Sequence, residues 1–363
     1  MPSHHQTGFF RALREAGHDL HVHYYGSVSA ARRGLGWADS RELPEGERFV
    51  PACISSLEAC PDWRKRLHIV PGYGNPFLRR LVCRLSAQGA TWAHWSEPAR
   101  PGLRWWVSLP LKRWYARLVN NHAVTALAIG EMARRDFVQW GIRRNKIDLL
   151  PYAVEGFPVS GDADATVAQF AELHRPCFVY VGMLSHRKGI DLLLESFSMV
   201  ARRFPNVGLA LVGSDSGDLD YRGLAAELGI GEKVLFRGAL PANQIGPAVR
   251  PASVLVLPSR FDGWGMPLNE GASLAKALIA TDRCGSAHHL IQEGQNGFRV
   301  PAGEVNALAD RMERYARVPQ LAEVHGRHSL QVFYDHTPEA NTKRLSAILQ
   351  KVGFSNPAGR QPP

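Results

Sequence analysis

The sequence predicts an α/β protein built from two doubly wound, Rossmann-like domains. Three observations carry that reading. At 363 residues the chain is longer than one ordinary domain. Short apolar runs alternate with helical patterns along most of it, as buried parallel strands do with their crossover helices. Twice such a run leads at once into a Gly-bearing turn and a helix start, at Phe178 to Gly189 (FVYVGMLSHRKG) and at Val254 to Gly271 (VLVLPSRFDGWGMPLNEG).

In chain order, Met1 to Gly8 is a short polar segment, Phe9 to Gly17 reads as a helix closed by Gly17, and Leu20 to Tyr25 reads as a strand. A doubly wound domain normally opens with its central strand, and none precedes this helix. The expectation is a first strand missing from the N-terminal domain, through a true start about ten residues upstream or a damaged copy. Gly26 to Arg66 is irregular, with turn signals such as Leu43-Pro44-Glu45-Gly46. Leu67 to Val70 reads as a strand, Pro76 to Ala87 as a helix, and Thr91 to Pro98 (TWAHWSEP) as a strand end bearing His94. Arg104 to Asn121 places Leu111, Trp114, Tyr115 and Leu118 at helical spacing beside Lys112, Arg113 and Arg117. That face either packs on a sheet or rests on a membrane surface. Ala123 to Ile129 (strand), Glu131 to Trp140 (helix, ended by Gly141) and Lys146 to Leu150 (strand) complete a domain over 1–153. Glu155 to Pro176, rich in Gly, Pro, Asp and Ala, has the composition of a hinge.

The second domain, 154–335, continues the alternation. Helix Ile190 to Phe204, strand Val207 to Val212, helix Tyr221 to Leu228 and strand Val234 to Arg237 come before the Val254 stretch. Strand Leu278 to Thr281, a helix to Glu293 and strand Phe298 to Val300 come after it. In that stretch Pro258 ends an apolar run, two glycines allow close backbone approach, and Pro267 sits at the first helical position. Free amides at such a helix start attract phosphate groups. Asp262 and Glu270 flank the turn; they either complement the helix end or share one ligand lying across the loop. The upstream stretch has the same grammar and adds two adjacent cations, Arg187 and Lys188. Thr337-Pro338-Glu339 starts a last helix, over 336–351, and 352–363 reads as a disordered tail.

The pair of stretches resembles the C-terminal half of the retaining glycosyltransferases of family 4 (group 1), in a variant with a DGWG loop, and the likeness runs from about Gln139 to about Leu349. The resemblance implies a GT-B fold, with two Rossmann-like domains facing across a cleft and the last helix crossing back to the first. It implies that Glu270 holds the ribose of a nucleotide-sugar and Lys188, helped by Arg187, its diphosphate. Asp262 with the amides of Trp264, Gly265 and Met266 would hold the sugar, and Gly238 would lie at the base. Two departures stand out: Met183 replaces the family's arginine, and Asp262 replaces a glutamate. On the acceptor side the resemblance points to His4, His5 and Ser96, the alternative for His4 and His5 being a frayed terminus. His94 aligns with the first histidine of a His-x-His-Glu-Pro-like element whose second position is Ser96 here. It is either a catalytic group, with Asp262 and Lys188, or a core histidine.

Composition narrows the function. With 45% apolar and 21% charged residues the chain is globular, and no run approaches the roughly 20 apolar residues of a membrane span. The N-terminus has no basic-then-apolar signal pattern, so the address expected is cytoplasmic, with peripheral binding at the inner face of a membrane. Five widely spaced cysteines match no zinc or redox motif and read as buried thiols, and the resemblance implies no metal. Residues 1–153 hold 22 Lys and Arg against 12 Asp and Glu, which accounts for the whole net charge of +10. No nucleic-acid motif accompanies it, leaving an anionic membrane or a glycan or lipid-linked glycan acceptor as partner. The reading is a metal-independent hexosyltransferase without cofactor, using a nucleotide-diphosphate sugar in cell-envelope or exopolysaccharide synthesis. The alternative is a non-catalytic protein binding sugar-nucleotide or glycan.

Overall fold

The computed structural model describes residues 4–26, 43–58, 60 and 62–354, apart from the side chains of His4 and His5. The chain divides into two compact units. One takes in the chain up to Ala153 and resumes at Pro338; the other runs from Val154 to Thr337. None of the described helices is long and apolar enough to cross a membrane.

The second unit is a six-stranded, wholly parallel sheet. Its strands are β7 (Cys177–Val181), β8 (Gly208–Val212), β9 (Val234–Gly238), β10 (Val254–Leu257), β11 (Ala277–Thr281) and β12 (Gly297–Val300). Their spatial order is β12-β11-β10-β7-β8-β9. Every residue of β7, β8, β10 and β11 is buried, because crossover helices cover both sheet faces. The helix Ile190–Arg203 turns Ile190, Leu193, Leu194, Phe197 and Val200 into that core. The order reverses between β7 and β10, and at such a switch point the loops leaving the two strands splay apart and open a crevice. Those loops are the two singled out in the sequence.

The first unit holds a four-stranded parallel sheet, β3 (His68–Pro71), β4 (Trp92–Ser96), β5 (Thr125–Ala128) and β6 (Ile147–Leu149), in that order. A separate parallel pair joins β1 (Val22–Tyr24) to β2 (Glu47–Phe49). The last helix, Pro338–Lys351, belongs to this unit. It packs beside helix His4–Glu15, and Asn341 Nδ2 donates to Pro151 O at 2.6 Å while Lys351 pairs with Asp148 at 2.6 Å.

Several expectations change. The opening helix starts at His4 and not at Phe9. The segment read as a hinge contains a helix, Ala165–Leu173, because Asp164 caps it by accepting from Val167 N at 3.0 Å. The helical face of Arg104 to Asn121 is also divided differently. Tyr115 is wholly buried and Leu118 packs on the core, whereas Trp114 stays exposed. Residues 27–42, in the irregular region, and 355–363, in the tail, lie outside the described residues.

Candidate active site at the switch point of the second unit

The loop leaving β7 is shaped by two glycines. Gly182 has φ +138°, and Tyr180 below it donates from its hydroxyl to Met183 O at 2.9 Å. A single 3₁₀ turn, His186–Lys188, follows and ends at Gly189, where φ is +73° and a Cβ would lie 2.2 Å from Pro258 O. No side chain fits that approach, so the Lys188 turn can press directly on the loop leaving β10.

Hydrogen bonds lace the two loops together. Arg260 N donates to Arg187 O at 3.0 Å, and Arg187 Nη1 donates to Phe261 O at 3.0 Å. The Arg260 guanidinium forms a two-pronged pair with Asp191, both bonds at 2.7 Å, and also reaches His186 O at 2.7 Å. Burial alone would raise the Asp191 carboxyl, but the Arg260 bonds outweigh it and hold the group below its ordinary value. From the far side the His186 amide donates to Asp218 at 2.9 Å. With Ser216 as the leading donor, these bonds hold the Asp218 carboxyl at about 2. The outcome is an ion pair between Lys188 Nζ and Asp262 Oδ2, each side chain 14% exposed.

The rest of the loop is tied to the turn after β11. Asp262 N donates to Arg283 O at 2.9 Å, Gly285 N to Asp262 O at 3.1 Å, and Ser286 Oγ to Gly265 O at 2.9 Å. The side chain of Trp264 is 1% exposed, donates to Asn269 Oδ1 at 2.9 Å and lies 5.4 Å from the His289 ring. Its indole therefore serves the core and leaves only backbone at this position for a ligand. The Gly265 and Met266 amides donate to no group among the described residues. Glu270, on helix Pro267–Ser273, is partly exposed and has no side-chain partner among the described residues. Burial around its carboxyl lifts it to about 7. Gly238 ends β9 with φ +81° and open space where a Cβ would stand, its carbonyl accepting from Gly213 N at 2.9 Å.

Arg187, Lys188, Asp262, Trp264, Gly265, Met266 and Glu270 thus come from the loops and helix start at the ends of β7 and β10. Arg187 is spent on the Phe261 carbonyl, and Met183 is 38% exposed. His4, His5 and Ser96, the residues expected on the acceptor side, belong to the other unit. His94 is fully buried, with hydrogen bonds to Tyr115 Oη at 3.1 Å and Ser96 Oγ at 2.9 Å that occupy both ring nitrogens. Burial depresses its pKa to about 3, which keeps it neutral and out of solvent. These contacts are those of a buried strand-end histidine. The side chains of His4 and His5 lie outside the described residues.

Reasoning from the sequence passed over Arg260 and Asp191, although opposite charges two residues after Pro258 and two after Gly189 were a signal for a clamp. It also passed over a grouping of His21, His23 and Cys60, whose ligand-type atoms lie within 4.8 Å of one another. Arg48 Nε donates to His23 Nε2 at 3.2 Å, so a cation of the protein's own already faces that ring. We assign no metal there.

Comparison with known proteins bears on family and fold. Residues 165–328 match the family Glycosyl transferases group 1. The alpha-D-kanosaminyltransferase of Streptomyces kanamyceticus is 25% identical over 60% of this chain and 57% of its own length. The GDP-mannose-dependent alpha-(1-6)-phosphatidylinositol monomannoside mannosyltransferase of Mycolicibacterium smegmatis is 27% identical over 61% and 62%. The chain thus spans about three fifths of these two relatives. Among solved structures, Anabaena Alr3699/HepE in complex with UDP superposes with a TM-score of 0.73 over 96% of this chain and 98% of that one, at 16% identity. The fold is of the GT-B type, and within it residues 165–328 are similar to the family Glycosyl transferases group 1.

Proposed function

We propose that the protein is a retaining glycosyltransferase that moves a hexosyl group from a nucleotide-diphosphate sugar to an acceptor hydroxyl. The observation that carries this is the meeting of Lys188, Asp262 and the unspent Gly265 and Met266 amides at the switch point, with Glu270 one helical turn on. The donor class is supported by the relatives, one named for GDP-mannose and one seen with UDP. In the free protein Asp262 neutralises Lys188. An arriving diphosphate competes for that ammonium, and Asp262 is released to accept hydroxyls of the sugar. Glu270, ionised, accepts from the ribose hydroxyls, and the open backbone at Gly238 admits the base.

In the transfer the bond from sugar C1 to the diphosphate oxygen breaks, its electron pair leaving with the nucleoside diphosphate. The acceptor oxygen bonds to C1 on the same face, and its proton passes to the departing phosphate oxygen. Lys188 and the loop amides stabilise the charge gathering on that oxygen, the role a metal plays in other transferases, so no metal is required of this site. The acceptor is a glycan or lipid-linked glycan of the cell envelope or an exopolysaccharide, met at the inner face of the membrane by the basic first unit.

Titration calorimetry with UDP, GDP, ADP, CMP and TDP tests the site. One diphosphate binds tightly, and Glu270→Ala and Lys188→Ala each weaken it by about 10- to 100-fold, the worth of a charged hydrogen bond. A folded sample that binds none of the five overturns the reading. Binding without turnover of the matching nucleotide-sugar on any acceptor glycan leaves a binding protein.

A further inference from the structure

Residues 98–130 contain no Asp or Glu. They carry Arg100, Arg104, Arg113 and Arg117 on the surface, and among the described residues none of the four has an ion pair or a side-chain hydrogen bond. Within the same stretch Leu103 is 79% exposed, Trp106 66%, Val107 74% and Trp114 43%. Leu103, Trp106 and Val107 share one short helix and Trp114 lies on the next, and side chains so exposed lose the burial that stabilises their neighbours.

This group is not a loose loop. The intervening Trp105 is pinned inward, its Nε1 donating to Asp136 Oδ1 at 2.7 Å, and Ala99 N donates to the other Asp136 oxygen at 2.6 Å. Trp140 Nε1 shares Asp136 Oδ1 at 2.9 Å. Lys112 is buried with its ammonium 4.0 Å from the Trp105 ring centroid, so a cation and a carboxylate grip the same indole from two sides. Trp106 stands edge-on to Trp105 at 4.9 Å and is held outward by that anchor. Leu103–Val107 is thus held in place with its apolar side chains exposed, and Arg100 and Arg104, whose side chains have no partner among the described residues, stand beside it in the chain.

Such a combination fits one surface. Tryptophan and aliphatic side chains enter the boundary between headgroups and acyl chains, while arginines pair with phosphates and gather at anionic lipid. A second copy of the chain would bring unpaired arginines against unpaired arginines. We propose that Leu103, Trp106 and Val107, with Trp114, Arg100, Arg104, Arg113 and Arg117, form the face by which the protein docks on an anionic bilayer. This places the acceptor encounter of the proposed transferase on a named surface, and rests on that reading only for its purpose.

Cosedimentation of the full chain with vesicles tests it, using phosphatidylcholine alone or with about 30 mol% phosphatidylglycerol, a level at which adsorbed arginines count strongly. The expected result is binding to the anionic vesicles only, weakened about tenfold or more in Leu103→Glu/Trp106→Glu and in Arg104→Gln/Arg113→Gln. Nucleotide binding is measured on the same samples, and retention there shows that each variant is folded and separates this surface from the donor site. Equal binding by the variants, or none by the unaltered chain, overturns the proposal. So does a wild-type dimer that the Leu103→Glu/Trp106→Glu pair dissociates in light scattering, since a second copy would then be the occupant.

Discussion

Glu270 is the residue whose ionisation can be followed directly. Its carboxyl is lifted from 4.5 to about 7 in the folded protein. A raised acid favours the folded state in its protonated form, so this contribution is fully present below pH 4.5 and is lost as pH rises from 4.5 toward 7. Glu270→Gln cannot ionise and escapes the loss. Thermal melts should show the variant close to wild type near pH 4.5 and higher in Tm by roughly 2–6 °C at pH 8. Diphosphate binding should show the opposite preference, tightening in wild type between pH 6 and 8 and staying flat in the variant. Gly189 gives a second test. Its φ of +73° and the 2.2 Å approach of Pro258 O leave no room for a methyl group. Gly189→Ala should cost about 1–3 kcal/mol in urea melts and weaken diphosphate binding as well, because the same turn carries Lys188.

At the scale of elements, the clamp made by Arg260 joins two strand-to-helix turns into one platform. It offers Asp191 two parallel bonds and keeps a third for His186 O, a geometry that an ammonium cannot copy. Arg260→Lys should retain the charge and the fold, lose diphosphate affinity about tenfold, and leave Tm within a few degrees of wild type. Sequence pattern made the six strands of this unit and the two turns legible, because a short apolar run closed by Gly or Pro suits a buried strand and little else. It was weaker where structure depends on partners far along the chain. Helices Ala242–Val249, Val305–Arg317 and Gln320–Phe333 received no assignment, and Pro247 inside the first of them reads as a breaker. The composition of Glu155 to Pro176 suggested a hinge, yet Asp164 caps a helix there and also pairs with Arg237 of β9. His94 shows the same limit within one side chain: its neighbours in sequence left chemistry and core packing both open, and its partner, the Tyr115 hydroxyl, lies 21 residues on.

For the molecule as a whole, the two units offer separate thermal reporters. The matching nucleoside diphosphate should raise the transition of the second unit, by about 2.7 kcal/mol at a hundredfold excess over Kd, and leave that of the first in place. Differential scanning calorimetry with and without ligand checks this, and a uniform shift of a single transition would mean that the units melt as one. Charge reads the same way at this scale: the excess of cations falls wholly within 1–153, a division visible in sequence, but only the structure shows which arginines stand unpaired. The first unit is also discontinuous, since its closing helix Pro338–Lys351 comes after the whole of the second. On the ribosome, then, the first unit to emerge is the last that can be completed. Until Asn341 reaches Pro151 and Lys351 reaches Asp148, the nascent chain must carry an unfinished, strongly basic half behind which the six-stranded second unit can already form.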